Sequence, residues 1–367
     1  MKTLLIIMDS MAGGGAEKAL VELLRHLDAD EYRITLLLFN ATGHYMDQIP
    51  PHVTTLHVYS GVKPLRDRLL FHTPWRDTLM ARRLRRMLAG ARYDVVLSFL
   101  EGAAAWLHSL LPREMARRHL TWVHTDFSSH HWSRAFFSHM GHEQAFYDRM
   151  DRVVFVSHEA RRHFTLRLDD ERARVIYNLI DVDDIRRQAQ EPAPRKHRFT
   201  LVFVGRLHPI KRPDRFIDTV ALLRREGLDV DAWVVGDGDE RHRLERQCRE
   251  VGVEGHVTFM GFQKNPYPYI ARADALVITS DAEGLALVML EALALGTPII
   301  ATRCDGPAEV LAGGAGTLTG FTPRDLADAI KALHASPSAT PAALPAALPA
   351  GFAAGDILSR LRALLEE

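Results

Sequence analysis

Cysteine is almost absent: Cys248 and Cys304 are the two in 367 residues. Two isolated thiols supply neither a disulfide framework nor a zinc-ligand spacing, and they suit a reducing compartment. Charge of one sign is also missing. Lys and Arg total 46 and Asp and Glu total 46, so no global field favours nucleic acid as a partner. No run of about 18 apolar residues occurs, which excludes a membrane-spanning helix. The opening MKTLLIIMDSMAGGG reaches Asp9 after a short apolar stretch and passes directly into glycines. That reads as a buried first strand rather than a secretory leader, and a cytoplasmic protein is expected.

What is present is enough apolar material for two cores. The chain is 47% hydrophobic and 25% charged, and its length suits two domains better than one. Residues 3–8 (TLLIIM) form an apolar run of the kind buried on both faces of a parallel sheet, followed by Gly13, Gly14 and Gly15. Ala19, Leu20, Leu23, Leu24 and Leu27 then recur at helical spacing. Strand, glycine turn and helix open a doubly wound domain. Further strands are expected at 33–39, 94–99, 120–123 and 152–156. After the polar, proline-containing stretch 191–198 the pattern restarts, with strands expected at 199–204, 231–235, 257–260, 275–279 and 298–301. Helices are expected at 213–226, 239–251, 285–295 and 323–335. The reading is therefore a first domain over 1–190, a linker over 191–198 and a second domain over 199–335. An Ala/Pro-rich connector over 336–355 and a final amphipathic helix over 356–367 complete it.

Two segments carry the chemistry. In DAEGLALVMLEALALGTPII (281–300), Glu283 precedes a helix and Glu291 lies within its apolar body, where a carboxylate needs a partner. Eight residues at a helical rise put the two carboxylates about 12 Å apart along the axis, close to the length of a nucleotide-sugar. The free N–H groups near Gly284 to Leu287 would then face a diphosphate. In LVFVGRLHPIKRPDR (201–215), Arg206 and Lys211 follow the carboxyl end of a buried strand, where ligands bind in such sheets. A fork-shaped guanidinium and a point-charge ammonium suit a diphosphate.

Gly205-Arg206-Leu207, Lys211, Gly236-Asp237-Gly238, Phe259-Met260-Gly261, the Glu283/Glu291 spacing and Gly296-Thr297-Pro298 occur in one order. Together they closely resemble glycosyltransferase family 4, most specifically across 200–312. Gly13 to Lys18 resembles the family's first glycine loop, and Tyr177-Asn178-Leu179-Ile180-Asp181 its segment before the linker, with Leu179 where many relatives carry proline. The resemblance implies an α/β GT-B fold, two Rossmann-like domains facing across a cleft; the apolar stripe of the C-terminal helix needs a partner surface and is expected to pack back on the protein. It implies a retaining enzyme that moves a hexose or N-acetylhexosamine from a nucleoside-diphosphate sugar to a glycan or lipid-linked acceptor. The expected setting is cell-surface polysaccharide or lipopolysaccharide synthesis, with no metal or other cofactor. By the same resemblance Arg206 and Lys211 bind the donor diphosphate, Glu283 lies beside the transferred sugar and Glu291 bonds the ribose. The backbone of Gly284 and Leu285 holds phosphate or sugar oxygens, Gly14 permits close approach of the first loop, and His124 in WVHTD reaches the transferred sugar.

Weaker features are weighed against plainer readings. Asp237-Gly238-Asp239 spells a metal-binding motif of the other major glycosyltransferase fold, but within Gly-Asp-Gly it fits a tight turn better. His130 and His131 are taken as structural or solvated. Residues 61–120 hold 12 Lys and Arg against 5 Asp and Glu, an excess of 12 − 5 = +7. Within 63–88, Arg82, Arg83, Arg85 and Arg86 interleave with Leu79, Met80, Leu84, Met87 and Leu88 after Phe71 and Trp75. Such a basic amphipathic helix suits an anionic membrane surface at the inner face of the cell membrane, or simply a core helix with a solvated face. A sugar-nucleotide epimerase and a non-catalytic nucleotide-sugar binder are the alternative functions on paired Rossmann domains. The combined presence of Arg206, Lys211, Glu283 and Glu291 favours transfer.

Overall fold

The computed structural model describes residues 1–61, 73, 75–128, 131–336, 348–349 and 351–367. The expectations for Phe71, His130, residues 63–72 and most of the Ala/Pro-rich connector lie outside the described residues. The chain divides into two compact units, Met1–Leu179 with Ile357–Glu367, and Ile180–Asp356. The helix Val182–Gln188, capped by the Asp181 carboxylate accepting the Asp184 N–H, thus belongs with the second unit.

In the first unit the strands are β1 (Lys2–Met8), β2 (Tyr32–Asn40), β3 (Thr54–Tyr59), β4 (Tyr93–Ser98), β5 (Ala116–Val123), β6 (Arg152–Phe155) and β7 (Ala173–Val175). They form one sheet in the order β3-β2-β1-β4-β5-β6-β7, and every pairing is parallel. Leu4 to Met8 are almost fully buried, as a strand covered on both faces requires. The C-terminal helix Ala354–Glu366 packs onto this unit, burying Ile357, Leu361, Leu364 and Leu365. Lys2 Nζ donates to the Leu365 carbonyl at 3.0 Å, and the Glu367 carboxylate lies 2.7 Å from Arg152 and 3.3 Å from Arg118.

The second unit contains β8 (Phe199–Val204), β9 (Val230–Val235), β10 (Val257–Gly261), β11 (Ala275–Ile278), β12 (Ile299–Thr302) and β13 (Thr317–Thr319). Their order is β10-β9-β8-β11-β12-β13, again all parallel. Leu201, Phe203, Phe216, Val220, Val234 and Ile330 belong to its core. The helix Pro323–Ala335 starts at a capping box in which Thr322 and Asp325 satisfy each other's backbone N–H, with proline at its first position.

Both units are doubly wound. Strand order reverses between β1 and β4 in the first and between β8 and β11 in the second, and such a reversal opens a crevice at the carboxyl ends of the two strands.

Candidate active site

The crevice of the second unit collects the residues expected to hold the donor. After β8 the chain passes Gly205 and exposes Arg206, whose side chain makes no ion pair among the described residues. The following loop is pressed against the turn after β9. Gly205 N–H donates to the Val235 carbonyl at 3.0 Å and Leu207 N–H to the Asp237 carbonyl at 3.0 Å. Contact is so close that a Cβ on Gly236, whose φ is +140°, would lie 1.9 Å from the Gly205 carbonyl oxygen. The Asp237 side chain accepts the N–H of its neighbour Gly238 at 2.8 Å, and the Arg241 N–H closes a turn onto the Gly238 carbonyl at 3.1 Å.

Lys211 meets Glu283 across the β8/β11 reversal. The ammonium lies 2.6 Å from Oε1 and 2.5 Å from Oε2. Glu283 is buried, 9% exposed, whereas Lys211 is partly open to solvent. Several bonds fix the two loops. The Ser280 hydroxyl donates to Glu283 Oε1 at 2.6 Å, and the Thr302 hydroxyl donates to the Ser280 carbonyl at 2.6 Å. The Thr279 hydroxyl is shared between the carbonyls of Lys211 at 2.9 Å and Arg212 at 2.8 Å. Asp281 N–H reaches the Ile210 carbonyl, and the buried Arg215 guanidinium donates to the Thr279 carbonyl and the Asp281 carboxylate. Arg212 has φ +49°, a conformation that costs energy for a non-glycine residue, and its guanidinium is held by Asp214 and Asp281. Gly306 N–H donates to the Glu283 carbonyl at 3.1 Å.

Glu291 lies in the helix Leu287–Leu295, 3% exposed and not without a partner, as the apolar helix requires. One expectation is corrected here. The helix begins at Leu287 rather than at 285, so Gly284 and Leu285 belong to the loop before it. A helical rise therefore covers only part of the path from Glu283 to Glu291. The residue before the helix, Ala286, is extended, with φ −79° and ψ 102°, so helical geometry starts only after it. Cys304 is a buried free thiol, and burial, with Glu283 nearby, pushes its pKa up to about 12.

In the first unit the β1/β4 reversal carries a second polar group that sequence reasoning missed. Asp9 follows β1, and its carboxylate accepts the N–H groups of Ala103 at 3.3 Å and Ala104 at 2.5 Å. Burial raises its pKa to about 7 despite those bonds, and Glu101 and Glu17 nearby push the same way. Glu101, fully buried beyond β4, accepts the His124 N–H, the Thr125 hydroxyl and the Trp132 indole N–H. His124 follows β5, and burial lowers its pKa to about 3, so the ring is neutral near pH 7. Its Nε2 is buried with no hydrogen-bond partner among the described residues, while the ring lies 4.9 Å from Phe99. Gly14 takes an extended conformation as the N-cap of the helix Gly15–His26. The signal that could have located Asp9 and Glu101 is their position at the ends of the two strands that flank the reversal.

The fold and site define a doubly wound protein whose second unit brings Arg206, Lys211 and Glu283 to one crevice, and the comparisons with known proteins place it. Residues 13–184 match the family model described as Glycosyltransferase Family 4, and residues 198–336 match that described as Glycosyl transferases group 1. The chain belongs to this glycosyltransferase family. Lipopolysaccharide core biosynthesis glycosyltransferase LpsE of Rhizobium meliloti is 42% identical over 78 residues, 21% of this chain and 23% of that protein. A Campylobacter jejuni N-acetylgalactosaminyltransferase, named as acting on a diphospho-undecaprenol-linked sugar, is 30% identical over 146 residues, 40% of this chain and 39% of that protein. The chain thus spans well under two thirds of the length of these relatives. Among solved structures, Anabaena HepE in complex with UDP and glucose matches over 100% of both chains with a TM-score of 0.78 at 21% identity. WaaG, a glycosyltransferase involved in lipopolysaccharide biosynthesis, matches over 99% of this chain and 98% of its own at 16% identity, TM-score 0.71. At these identities the likeness concerns the fold, two parallel-sheet Rossmann-like domains of GT-B type.

Proposed function

We propose that this protein is a retaining glycosyltransferase that moves a hexose or N-acetylhexosamine from a nucleoside-diphosphate sugar to a glycan or lipid-linked acceptor, without a metal ion. The observation that carries the reading is the Lys211–Glu283 pair at the β8/β11 reversal, with Arg206 exposed on the same loop. Arg206 and Lys211 offer positive charge to the diphosphate as it departs with the glycosidic bonding electrons, the role that a metal plays elsewhere. Glu283 accepts hydrogen bonds from sugar hydroxyls, and Glu291 from the ribose. The retaining outcome rests on the family resemblance. The printed names of the relatives, a lipopolysaccharide core enzyme and one acting on a lipid-linked sugar, support a cell-surface glycan or glycolipid acceptor, and HepE with UDP supports a nucleotide donor. Thermal shift with UDP-, GDP- and ADP-sugars, followed by donor hydrolysis and determination of the product anomer, tests donor and stereochemistry together. Stabilisation by none of the three, with no hydrolysis, would contradict the proposal.

Peripheral attachment at the inner face of the cell membrane belongs to the same proposal. Among the described residues no helix is long and apolar enough to cross a membrane. The helix Arg76–Met87 buries Met80 and Leu84, and Trp75 (69%) and Leu79 (39%) stand exposed beside Arg82, Arg85 and Arg86. Arg83 does not share that face: it donates to the Val58 carbonyl and covers the Tyr59 ring. Aromatic and basic groups on one face suit an anionic lipid surface, each cation adding about 1 kcal/mol there. Flotation with anionic vesicles should carry the protein up, and Arg82, Arg85 and Arg86 changed to Glu should abolish this. Protein left behind by anionic vesicles at low salt would remove the membrane from the account.

A further inference from the structure

We propose that Ser280 and Thr279 are separate positioning residues for the two halves of the donor site, Ser280 for the sugar side and Thr279 for the phosphate side. The inference rests on the donor reading given under Proposed function. Its starting point is that Lys211 gives two of its three N–H donors to Glu283, with both carboxylate oxygens within 2.6 Å of the ammonium. A donor diphosphate competes with Glu283 for that ammonium, and as Lys211 turns its donors toward phosphate it gives up bonds to the carboxylate. At that moment the carboxylate loses its strongest partner. It would turn toward the departing cation unless something else holds it.

Ser280 is that hold. Its hydroxyl, 2% exposed, donates to Glu283 Oε1, and its own carbonyl is tied by the Thr302 hydroxyl. A hydroxyl has one proton to donate, so this bond is directional and persists whether Lys211 is near or not. It keeps one oxygen fixed and leaves Oε2 for sugar hydroxyls. Thr279, fully buried, acts on the other partner. Its single proton is shared between the carbonyls of Lys211 and Arg212, so it fixes the backbone from which the lysine side chain swings, on either side of the left-handed turn at Arg212. Two adjacent hydroxyls thus serve the two sides of one ion pair. Their removal should have different kinetic signatures.

The experiment titrates UDP, GDP and ADP into the full chain by calorimetry, selects the nucleotide that binds, and measures turnover of the matching nucleotide-sugar. Lys211→Ala runs in parallel. Ser280→Ala should leave nucleoside-diphosphate affinity within about twofold while turnover falls about ten- to a hundredfold, the loss expected for a hydrogen bond to a charged group. Thr279→Val should weaken nucleoside-diphosphate binding about tenfold, and Thr279→Ser, which keeps the hydroxyl, should restore it. Circular dichroism and melting identify any variant that fails to fold, and Thr279→Ser then decides for that position. Equal losses of affinity and turnover in Ser280→Ala and Thr279→Val, or no loss in either, would overturn the assignment while Lys211→Ala still loses binding. If Lys211→Ala binds the nucleotide as well as the unaltered chain, or that chain binds none of the three, the donor reading itself falls.

Discussion

Lys211 and Glu283 stand 72 positions apart in sequence, yet the lysine ammonium bridges both oxygens of the glutamate carboxylate. Topology makes the contact. β8 and β11 are adjacent in the sheet although two strands intervene in sequence, so the loops leaving them meet at the reversal. A partly exposed lysine on one loop therefore faces a buried carboxylate on the other.

Glu291→Gln is expected to act through donor affinity. Ribose contacts change little as the glycosidic bond breaks, so their loss weakens ground state and transition state alike. Donor KM should rise, with kcat within about threefold of the unaltered enzyme. A large fall in kcat at constant KM would move Glu291 from the ribose to the reacting centre.

Chelation should leave transfer intact. Charge on the departing diphosphate is assigned to Arg206 and Lys211, and neither needs a metal to act. Turnover in excess EDTA should equal that in buffer. Activity abolished by EDTA and restored by Mg²⁺ would refute the metal-free assignment.

Much of this was legible in sequence, and the misses share a cause. The interior strands β1, β4, β8 and β11 read as apolar runs because both faces are covered. The strands not anticipated, β3 (TTLHVY), β7 (ARV) and β13 (TLT), all lie at sheet edges, where short length and polar residues are what an edge tolerates. Arg206 and Lys211 are legible from the end of a buried strand and Glu283 and Glu291 from their spacing around an apolar helix, with the family resemblance supplying their roles. Ser280, Thr279 and Thr302 are not, because a hydroxyl becomes informative only when its acceptor is known. Asp9 was passed over as the polar end of an apolar run, although its place after β1 was visible.

Gly236→Ala should destabilise the second unit. Its φ of +140° disfavours any side chain, and the new methyl would lie 1.9 Å from the Gly205 carbonyl oxygen. The loop carrying Arg206 would have to move. A cost of about 2–4 kcal/mol is expected from the strain and overpacking together. Denaturant unfolding should show a lower midpoint, and an unchanged midpoint would mean that the two turns are not in contact.

Asp9 should leave a pH signature. Its native pKa is raised to about 7 from 3.8, so between those values the folded chain binds the proton more tightly than the unfolded one. The stabilising contribution is full below about pH 4 and is lost as pH rises through about 7. His108, His119 and His124 work in the opposite sense: burial lowers all three, so their contribution is present above about pH 6.5 and lost as pH falls. Comparing the unaltered chain with Asp9→Asn cancels the histidines. The difference in melting temperature should shift in favour of Asp9→Asn between pH 5 and pH 8, in about the range that the raised pKa sets. A difference independent of pH would mean that Asp9 titrates normally.

The most direct test of the central claim is donor turnover by Lys211→Ala and Arg206→Ala. Each should lose about 2–4 kcal/mol of transition-state stabilisation, about a thirtyfold to thousandfold fall in kcat/KM. Arg206→Ala should melt close to the unaltered protein, while Lys211→Ala, which leaves the buried Glu283 carboxylate without its cation, should melt lower but still fold. Either variant turning over donor at the original rate, or losing activity only because it unfolds, would contradict the assignment of the diphosphate to this crevice.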